Sequence, residues 1–406
     1  MNVALYYPWI YLTSGAERTI VEVTGHSRHD WTIFTNRFER ANTFPELSNR
    51  RVVELSEVPV RRTPWAVARA ALRVLTQRLP LDGFDALVIL GEGLGDFTVF
   101  RTPRIPIVCY CLTPLRIVFD PVYRTRYLQE RSSLDRLAVR LGSPVFRAID
   151  RLAWRRYNHV YCVSEEVRRR ILAGRLAGED KLSVAHVGLG FDPPTPSGRF
   201  EPFFLLPGRI MWTKNIELGI EAFRRFRAAS PDGQRFRLVV AGIVDDKSRP
   251  YLARLRELAG EDGGVEFRIF PSDEELHDLY DTCHAVLFTA FNEDWGIVPL
   301  EAMAFGKPVV ATDRGGPRES VQHGVQGFLA EPEPDAFARR MAELARDTQM
   351  AQSMGTAGRE RAREFTWDRL AETIDRKLEE LVVNRTGAPL GQEPGDNHAT
   401  VSLRDR

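Results

Sequence analysis

At 406 residues the chain is longer than one hydrophobic core usually supports, so two domains of roughly 150 to 200 residues are expected. With 43% hydrophobic and 27% charged residues, the composition excludes a collagen-like or wholly disordered protein. The net charge of +1 conceals an asymmetry, because residues 1–200 carry 29 Lys and Arg against 20 Asp and Glu. A basic half favours an anionic partner, such as membrane phospholipid or a phosphorylated acceptor, and solvated arginine-rich helix faces are the alternative.

The four cysteines, at positions 109, 111, 162 and 283, form no Cys-x-x-Cys pair and no disulfide framework. Cys109 and Cys111 alternate within an apolar run and are predicted to be small buried hydrophobic residues. The N-terminus has no basic segment before an apolar stretch, and no window reaches the roughly 18 apolar residues of a membrane span. The sequence therefore predicts a cytoplasmic protein, peripheral at the inner face of the membrane.

In the first half, short apolar runs bounded by Gly or Pro alternate with longer amphipathic stretches. This is the pattern of βα units that build a parallel sheet. Strands are predicted at residues 2–6, 31–35, 86–90, 107–111 and 159–163, with helices between them. Residues 116–175 hold 14 Arg and 6 acidic residues interleaved with leucines, which predicts an amphipathic surface with Arg on its polar side.

Residues 187–196, VGLGFDPPTP, can continue neither a long helix nor a central strand and are predicted to be the interdomain linker. The alternation then restarts. Strands are predicted at residues 203–206, 237–241, 265–269, 285–288 and 308–311, and helices at 217–229, 249–259, 273–281, 299–305 and 334–347.

The sequence thus predicts an α/β protein of two Rossmann-like domains, at residues 1–190 and 200–365, with a cleft between them. A last helix at residues 366–383 is predicted to pack back towards the N-terminal domain. The Gly-, Pro- and Asp-rich tail at 384–406 has no apolar face to bury and is predicted to be disordered.

The most informative segment is FNEDWGIVPLEAMAFGKP at residues 291–308. It follows a predicted strand and leads into a helix with Pro299 in its first turn, a favoured position for proline. That turn lies at the carboxyl edge of a parallel sheet, where ligands bind. The amides of Gly296, Ile297 and Val298 at the helix N-terminus can bind a phosphate or sugar hydroxyls.

Two carboxylates flank this turn. Glu293 precedes it and Glu301 lies about one and a half turns into the helix, so the first can reach a sugar and the second a ribose diol. On spacing alone, the alternative is that Glu301 faces solvent and Glu293 caps the helix, because helix dipoles favour acidic residues there.

The run resembles the Glu-x7-Glu signature of retaining glycosyltransferases of family 4, which have the GT-B architecture of two doubly wound Rossmann-like domains facing a central cleft. Three further segments match that family in the expected order, and the resemblance extends from residue 2 to about residue 383. They are SGAER at 14–18, PGRIMWTKN at 207–215 and VVATDRGGPRES at 309–320.

The resemblance implies that Arg209 and Lys214 bind the donor diphosphate, a role that two cations at a strand end can fill without a metal. Ordinary solvent exposure is the alternative, although a lysine is unusual in a chain with 5 Lys beside 51 Arg. Gly15 would let the backbone approach the diphosphate from the opposite lobe. Glu293 would bind hydroxyls of the transferred sugar, and Glu301 the ribose.

Catalytic roles are accordingly predicted for Glu293, Arg209 and Lys214. The predicted donor-binding residues are Gly15, Arg209, Lys214, Glu293, Gly296, Ile297, Val298 and Glu301. No metal site is predicted, and no cofactor beyond the nucleotide-sugar co-substrate.

The sequence departs from the family pattern in two places. The nucleobase is expected near residues 267–272, where the family's usual glycine is missing. In YCLTPLR at 110–116, Leu112 stands where a histidine near the sugar is usual, and leucine can neither donate a hydrogen bond nor hold a charge. Thr113, Arg116 or a bound acceptor would then fill the polar role.

Residues 31–36, 42–47 and 296–303 are similar to the mannosyltransferases that extend the dolichol-linked chitobiose core. The similarity implies a retaining hexosyl transfer from GDP-mannose to a hydroxyl of a glycan or lipid-diphosphate-linked acceptor, with membrane contact through the Arg-rich N-terminal lobe and no nucleic acid partner. The alternatives are a UDP-sugar-dependent transferase, a GT-B-fold nucleotide-sugar epimerase and an inactive nucleotide-sugar-binding subunit.

Overall fold

The structure of the protein, a computed structural model, describes residues 1–58, 64–129, 131–192, 194–260 and 264–386. The N-terminal domain contains a seven-stranded parallel sheet in the order β3-β2-β1-β4-β5-β6-β7. Its central strands are buried along their whole length, as expected for a parallel sheet covered on both faces. The strands are β1 Asn2–Tyr6, β2 Asp30–Thr35, β3 Val52–Glu54, β4 Ala86–Gly91, β5 Ile107–Cys111, β6 His159–Cys162 and β7 Leu182–Val184.

The C-terminal domain repeats this design with a six-stranded parallel sheet in the order β10-β9-β8-β11-β12-β13. The first strand of each domain therefore lies inside its sheet, and the strand order reverses there. Ligands bind at such a switch point, outside the carboxyl ends of the strands. The strands are β8 Phe203–Pro207, β9 Arg237–Gly242, β10 Val265–Ile269, β11 Ala285–Phe288, β12 Val309–Thr312 and β13 Gly327–Ala330.

Helices connect the strands and cover the sheets. In the N-terminal domain they are α1 Gly15–His26, α2 Pro64–Thr76, α3 Arg116–Phe119, α4 Pro121–Gln129, α5 Ser133–Trp154 and α6 Glu165–Gly174. In the C-terminal domain they are α7 Ile216–Ala229, α8 Arg249–Ala259, α9 Asp273–Thr282, α10 Ile297–Ala304, α11 Pro317–Ser320, α12 Pro334–Arg346 and α13 Thr348–Ala362, followed by α14 Trp367–Thr386. Within the described ranges, no helix combines the length and hydropathy needed to cross a bilayer.

All ten predicted strands are present, with ends shifted by at most a residue or two. Three strands were not predicted: β3, β7 and β13. Each has only three or four residues and lies at or beside a sheet edge, so its sequence is too short to show a periodic signal. The prediction for cysteine is confirmed, because Cys109 and Cys111 are fully buried and free.

The last helix, α14, returns to the N-terminal domain. Its Asp375 accepts a hydrogen bond from Ser27 Oγ at 2.7 Å, and Tyr161 Oη donates to Thr373 O at 2.9 Å. A Cβ at Gly188 in the linker would lie 2.7 Å from Trp367 N, so only glycine permits this approach. The helix runs to Thr386, past its predicted end, and the rest of the predicted tail lies outside the described residues.

Candidate functional site

The candidate site lies at the carboxyl edge of the C-terminal sheet, where β8 and β11 are neighbouring strands. The loop after β8 carries Lys214 and the loop after β11 carries Glu293. Phe291 N donates to Thr213 O at 3.0 Å, and Thr289 Oγ1 donates to Lys214 O at 2.8 Å. These bonds join the two loops and bring residues that are distant in sequence together.

Lys214 and Glu293 form an ion pair. Lys214 Nζ donates to Glu293 Oε2 at 2.7 Å, and each side chain is 21% exposed. Burial acts to raise the pKa of Glu293, but the positive charges of Lys214, Arg116 and Arg209 outweigh it and hold the pKa below its usual range. Glu293 is therefore an ionised acceptor that can receive hydrogen bonds from sugar hydroxyls.

Of the three cations that lower the pKa of Glu293, Arg209 is the exposed one. It follows Gly208, whose φ of +130° favours glycine. A Cβ at Gly242 would lie 1.8 Å from Gly208 O, so a second glycine is needed where the β8 and β9 loops meet. Among the residues that the structure describes, Arg209 forms no salt bridge, which leaves its guanidinium available to an anionic ligand.

Glu301 is half-buried in α10 and accepts a hydrogen bond from Tyr280 Oη at 2.6 Å. The alternative in which Glu301 simply faces solvent is therefore wrong. Burial raises its pKa, opposed by the Tyr280 hydrogen bond and the charge of Lys214. The Tyr280 ring in turn stacks on Phe305 at 5.3 Å, which fixes the hydroxyl that Glu301 accepts from.

The N-terminus of α10 follows Gly296, whose φ is +85°. The amides of Gly296, Ile297 and Val298 have no preceding helical turn to bond to, so they remain available as donors at this edge. The neighbouring loop approaches closely: Gly316 N donates to Glu293 O at 2.9 Å, and a Cβ at Gly316 would lie 2.2 Å from Trp295 O. The glycine pair at 315–316 thus packs directly against the Glu293 loop.

Gly15 begins α1 in the N-terminal domain and is exposed. A Cβ placed there would meet no described atom within 4 Å, and Gly15 does not have a positive φ. Protein packing therefore gives no reason for glycine at this position. Close approach of a ligand, as predicted from the sequence, would give one.

The N-terminal domain also reaches the Glu293 loop with two arginines. Arg116 donates to Asn292 O at 3.0 Å. Arg170, whose side chain is only 4% exposed, donates to Thr113 Oγ1 at 2.8 Å and pairs with Asp294. Thr113 and Arg116 were the residues expected to replace the polar group missing at Leu112. Thr113 accepts a hydrogen bond from Arg170, whereas the positive charge of Arg116 helps to lower the pKa of Glu293.

Two exposed apolar side chains continue the edge past Arg209. Ile243 follows β9 and is 47% exposed, and Phe270 follows β10 and is 60% exposed. Phe270 has a φ of +55°, the left-handed region that favours glycine. Within residues 267–272, where the family's usual glycine is missing, Phe270 therefore has a glycine-like backbone and an exposed aromatic ring.

Sequence reasoning missed the roles of Arg170, Asp294 and Tyr280. Asp294 follows Glu293 directly, but nothing local distinguishes it from a surface acid. Arg170 is one of 14 arginines in its stretch, and only the approach of the two domains separates it from the others.

Residues 194–361 match the family described as "Glycosyl transferases group 1". The chain is 37% identical over 202 residues to the human alpha-1,3/1,6-mannosyltransferase ALG2, covering 47% of this chain and 48% of that protein. It is 32% identical over 178 residues to the D-inositol 3-phosphate glycosyltransferase of Corynebacterium jeikeium, covering 43% and 42%. The chain thus spans about half the length of the curated relatives it matches.

Solved structures match over nearly the whole chain. Anabaena Alr3699/HepE in complex with UDP superimposes with a TM-score of 0.70 at 19% identity, covering 95% of this chain and all of that one. The sucrose-phosphate synthase of Thermosynechococcus elongatus gives a TM-score of 0.71 at 16% identity, with coverage of 95% and 100%. These likenesses confirm the predicted fold class: two Rossmann-like α/β domains in the GT-B arrangement.

Proposed function

We propose that this chain, whose residues 194–361 match the family described as "Glycosyl transferases group 1", is a retaining glycosyltransferase that uses a nucleotide-sugar donor. The observation that carries the proposal is the Lys214–Glu293 pair at 2.7 Å, with Arg209 and Arg116 acting on the same carboxylate. A leaving diphosphate needs cations, and a transferred sugar needs a fixed acceptor for its hydroxyls. This edge of the sheet offers both within one pair of loops.

The donor would lie along the carboxyl edge of the C-terminal sheet. Its diphosphate would meet Arg209, Lys214 and the first amides of α10, with Gly15 closing from the other domain. Its sugar would lie at Glu293 and its ribose at Glu301. The base would lie against the exposed faces of Phe270 and Ile243, since apolar surface beside a cationic site suits a nucleobase.

In the reaction, the bond between the anomeric carbon and the phosphate oxygen breaks and a bond to the acceptor oxygen forms on the same face. The acceptor proton passes to the leaving phosphate. The protein then contributes positioning and electrostatic stabilisation. We propose that no metal takes part, because Arg209 and Lys214 supply the positive charge. A chelator such as EDTA should leave turnover unchanged.

We propose GDP-mannose as the donor and a hydroxyl of a glycan or lipid-diphosphate-linked acceptor as the recipient. The similarity to the ALG2 mannosyltransferases supports this choice. A UDP-sugar is the second candidate, favoured by the likeness to a structure solved with UDP. Thermal-shift measurements with GDP and UDP distinguish the two donors, because the nucleotide that binds the native state more tightly raises the melting temperature more.

Contact of the basic N-terminal lobe with a membrane belongs to the same proposal, because a lipid-linked acceptor is presented at a bilayer surface. The location at the inner, cytoplasmic face of the membrane stays a prediction.

The test is a donor-hydrolysis assay with GDP- and UDP-sugars on the purified chain. Slow release of free sugar, abolished by Lys214→Ala and by Glu293→Ala, supports a transferase. Interconversion of the sugar without release would identify an epimerase instead. Donor binding without any turnover would identify an inactive subunit, the alternative suggested by Leu112 in place of the usual histidine.

A further inference from the structure

Helix α5 exposes a stripe of large apolar side chains. Five of them are at least half exposed: Leu134 at 78%, Leu137 at 51%, Leu141 at 65%, Val145 at 60% and Leu152 at 51%. Their spacing of three, four or seven residues places them on one side of the helix. A contiguous exposed apolar face of this kind marks a binding surface.

The opposite side of α5 makes the contacts with the domain. Ser143, Asp150, Ala153 and Trp154 are its buried residues. Phe146 packs on Phe97 at 5.4 Å, which anchors the helix to the segment Leu94–Arg101. The leucine stripe therefore does not serve the core of its own domain. It would remain in water unless something covers it.

Arginines flank the stripe. Arg140 and Arg155 are exposed and lie three residues after Leu137 and Leu152, so each is the neighbour of a stripe residue on the helix surface. The only acidic residues of α5 are Asp135, whose backbone N–H donates to the Oγ of the capping Ser132, and the buried Asp150. The exposed face is thus apolar and cationic, without acidic side chains along its length.

A basic cavity continues this surface at the C-terminal end of α5. It has a volume of about 430 Å³ and is lined by Arg155, Arg175 and Lys181 together with apolar and backbone groups. Among the described residues, no Asp or Glu lines it. Such a cavity can hold a phosphate or another anionic head group beside the apolar stripe.

We propose that the exposed face of α5 docks the protein onto an anionic lipid bilayer, with the stripe of Leu134, Leu137, Leu141, Val145 and Leu152 in the acyl boundary and Arg140 and Arg155 on lipid phosphates. Helices that lie in a membrane interface combine such an apolar face with basic residues beside it. A second copy of the chain fits less well. A symmetric interface would place this cationic face against itself, with no acids to pair with the arginines.

The position of α5 connects this surface to the proposed function, on which the functional consequence rests. Helix α4, just before it in the chain, places Arg126 over the Phe291 ring at 3.9 Å and within 2.5 Å of Glu217. Phe291 belongs to the loop that carries Glu293. Arg136 at the start of α5 donates to Leu128 O and Gln129 O at the end of α4, so the stripe begins next to the helix that contacts this loop. A lipid-linked acceptor would enter from the bilayer on this side.

Co-sedimentation of the full chain with vesicles tests the docking directly. The vesicles are phosphatidylcholine alone, or phosphatidylcholine with about one-third phosphatidylglycerol. We expect binding to the anionic vesicles that weakens at high salt, and about tenfold or greater loss of affinity in the double variant Leu137→Ser/Leu141→Ser. Arg140→Gln/Arg155→Gln should lose the preference for anionic lipid. Val325→Ser, an exposed apolar residue of the C-terminal domain, is the control and should bind normally.

Three results would overturn the proposal. The first is no vesicle binding by the unaltered chain, and the second is unchanged vesicle binding by the leucine variant. The third is that sedimentation equilibrium shows a dimer for the unaltered chain and a monomer for the leucine variant. Because the substituted side chains are exposed, the variants should fold normally, and their melting temperatures check this. Donor hydrolysis, measured in parallel without lipid, should be unchanged in these variants. Vesicle binding without hydrolysis by any form would count against the proposed function and leave the docking surface standing.

Discussion

Lys214 Nζ and Glu293 Oε2 lie 2.7 Å apart, although the two residues come from loops at the ends of different strands. Before a donor binds, each charge is neutralised by the other. A diphosphate can attract Lys214 while sugar hydroxyls satisfy Glu293, so the pair holds both side chains in position for a ligand that carries both groups.

Lys214→Ala should reduce donor turnover by about a hundredfold or more, since one electrostatic donor to a leaving group contributes on that order. Donor hydrolysis measures the loss, and the melting temperature should stay close to that of the unaltered protein because the pair is partly exposed. The matched control is Lys247→Ala, an exposed lysine of the same domain. Equal turnover in both variants would contradict the assignment.

The low pKa of Glu293 predicts a pH-dependent contribution to stability. A carboxyl whose folded pKa is depressed stabilises the native state above its unfolded pKa, and that stabilisation is lost as the pH falls through the lower folded pKa. Denaturant unfolding of the protein and of Glu293→Gln at a series of pH values gives the difference. It should shrink as the pH falls through the acid range. The exposed Glu360 provides the control variant, Glu360→Gln.

A constant difference, or one that grows on acidification, would show that Lys214, Arg116 and Arg209 do not outweigh the burial of Glu293. In a Lys214→Met background the carboxyl loses its strongest cationic partner. Its pKa should then rise, and the loss of stabilisation should move to higher pH.

Tyr280→Phe removes the hydroxyl that donates to Glu301 Oε2 at 2.6 Å. We expect a loss of about 1 kcal/mol in the free energy of unfolding, typical of one buried hydrogen bond. The donor KM should rise, because Glu301 would no longer be held for the ribose. Thermal unfolding and donor kinetics measure the two effects. A change in stability with an unaltered donor KM would remove Glu301 from the donor site.

Arg170→Met breaks a buried network that joins the two domains. Arg170 contacts Thr113, Asp120 and Asp294, and Asp120 is only 1% exposed. Removing one partner of a buried pair costs about 3 kcal/mol or more, because the remaining charges stay buried. Unfolding should therefore occur at lower denaturant, and donor turnover should fall as the Glu293 loop loses its support. Arg169→Met, at an arginine that is 53% exposed, should change neither.

Phe270→Gly separates backbone strain from base binding. Phe270 has a φ of +55°, which costs a non-glycine residue about 1 kcal/mol or more, so the variant should not lose stability. Loss of the exposed ring should weaken nucleoside diphosphate binding roughly tenfold, as expected for a base that stacks on an aromatic side chain. Titration calorimetry measures the affinity of both forms for the nucleoside diphosphate. Pyrophosphate, which has no base, should bind both forms equally.

The sequence alone determined the strands and the loops that carry the candidate site. Buried parallel strands are continuous apolar runs, and the 291–308 segment places Glu293 and Glu301 on either side of a helix start through local spacing alone. Even so, the short strands β3, β7 and β13 were missed, because their existence depends on a neighbouring strand rather than on their own pattern.

The tertiary structure decided which side chains meet. Lys214 reaches Glu293, Arg170 reaches Asp294, and Tyr280 reaches Glu301 because separate strands end at a common edge and two domains close on it. It also decided that the leucines of α5 face outward, since periodicity gives a helix an apolar side but not the direction in which that side points. Contacts between residues far apart in sequence depend on the packing of whole domains, and no local pattern contains that information.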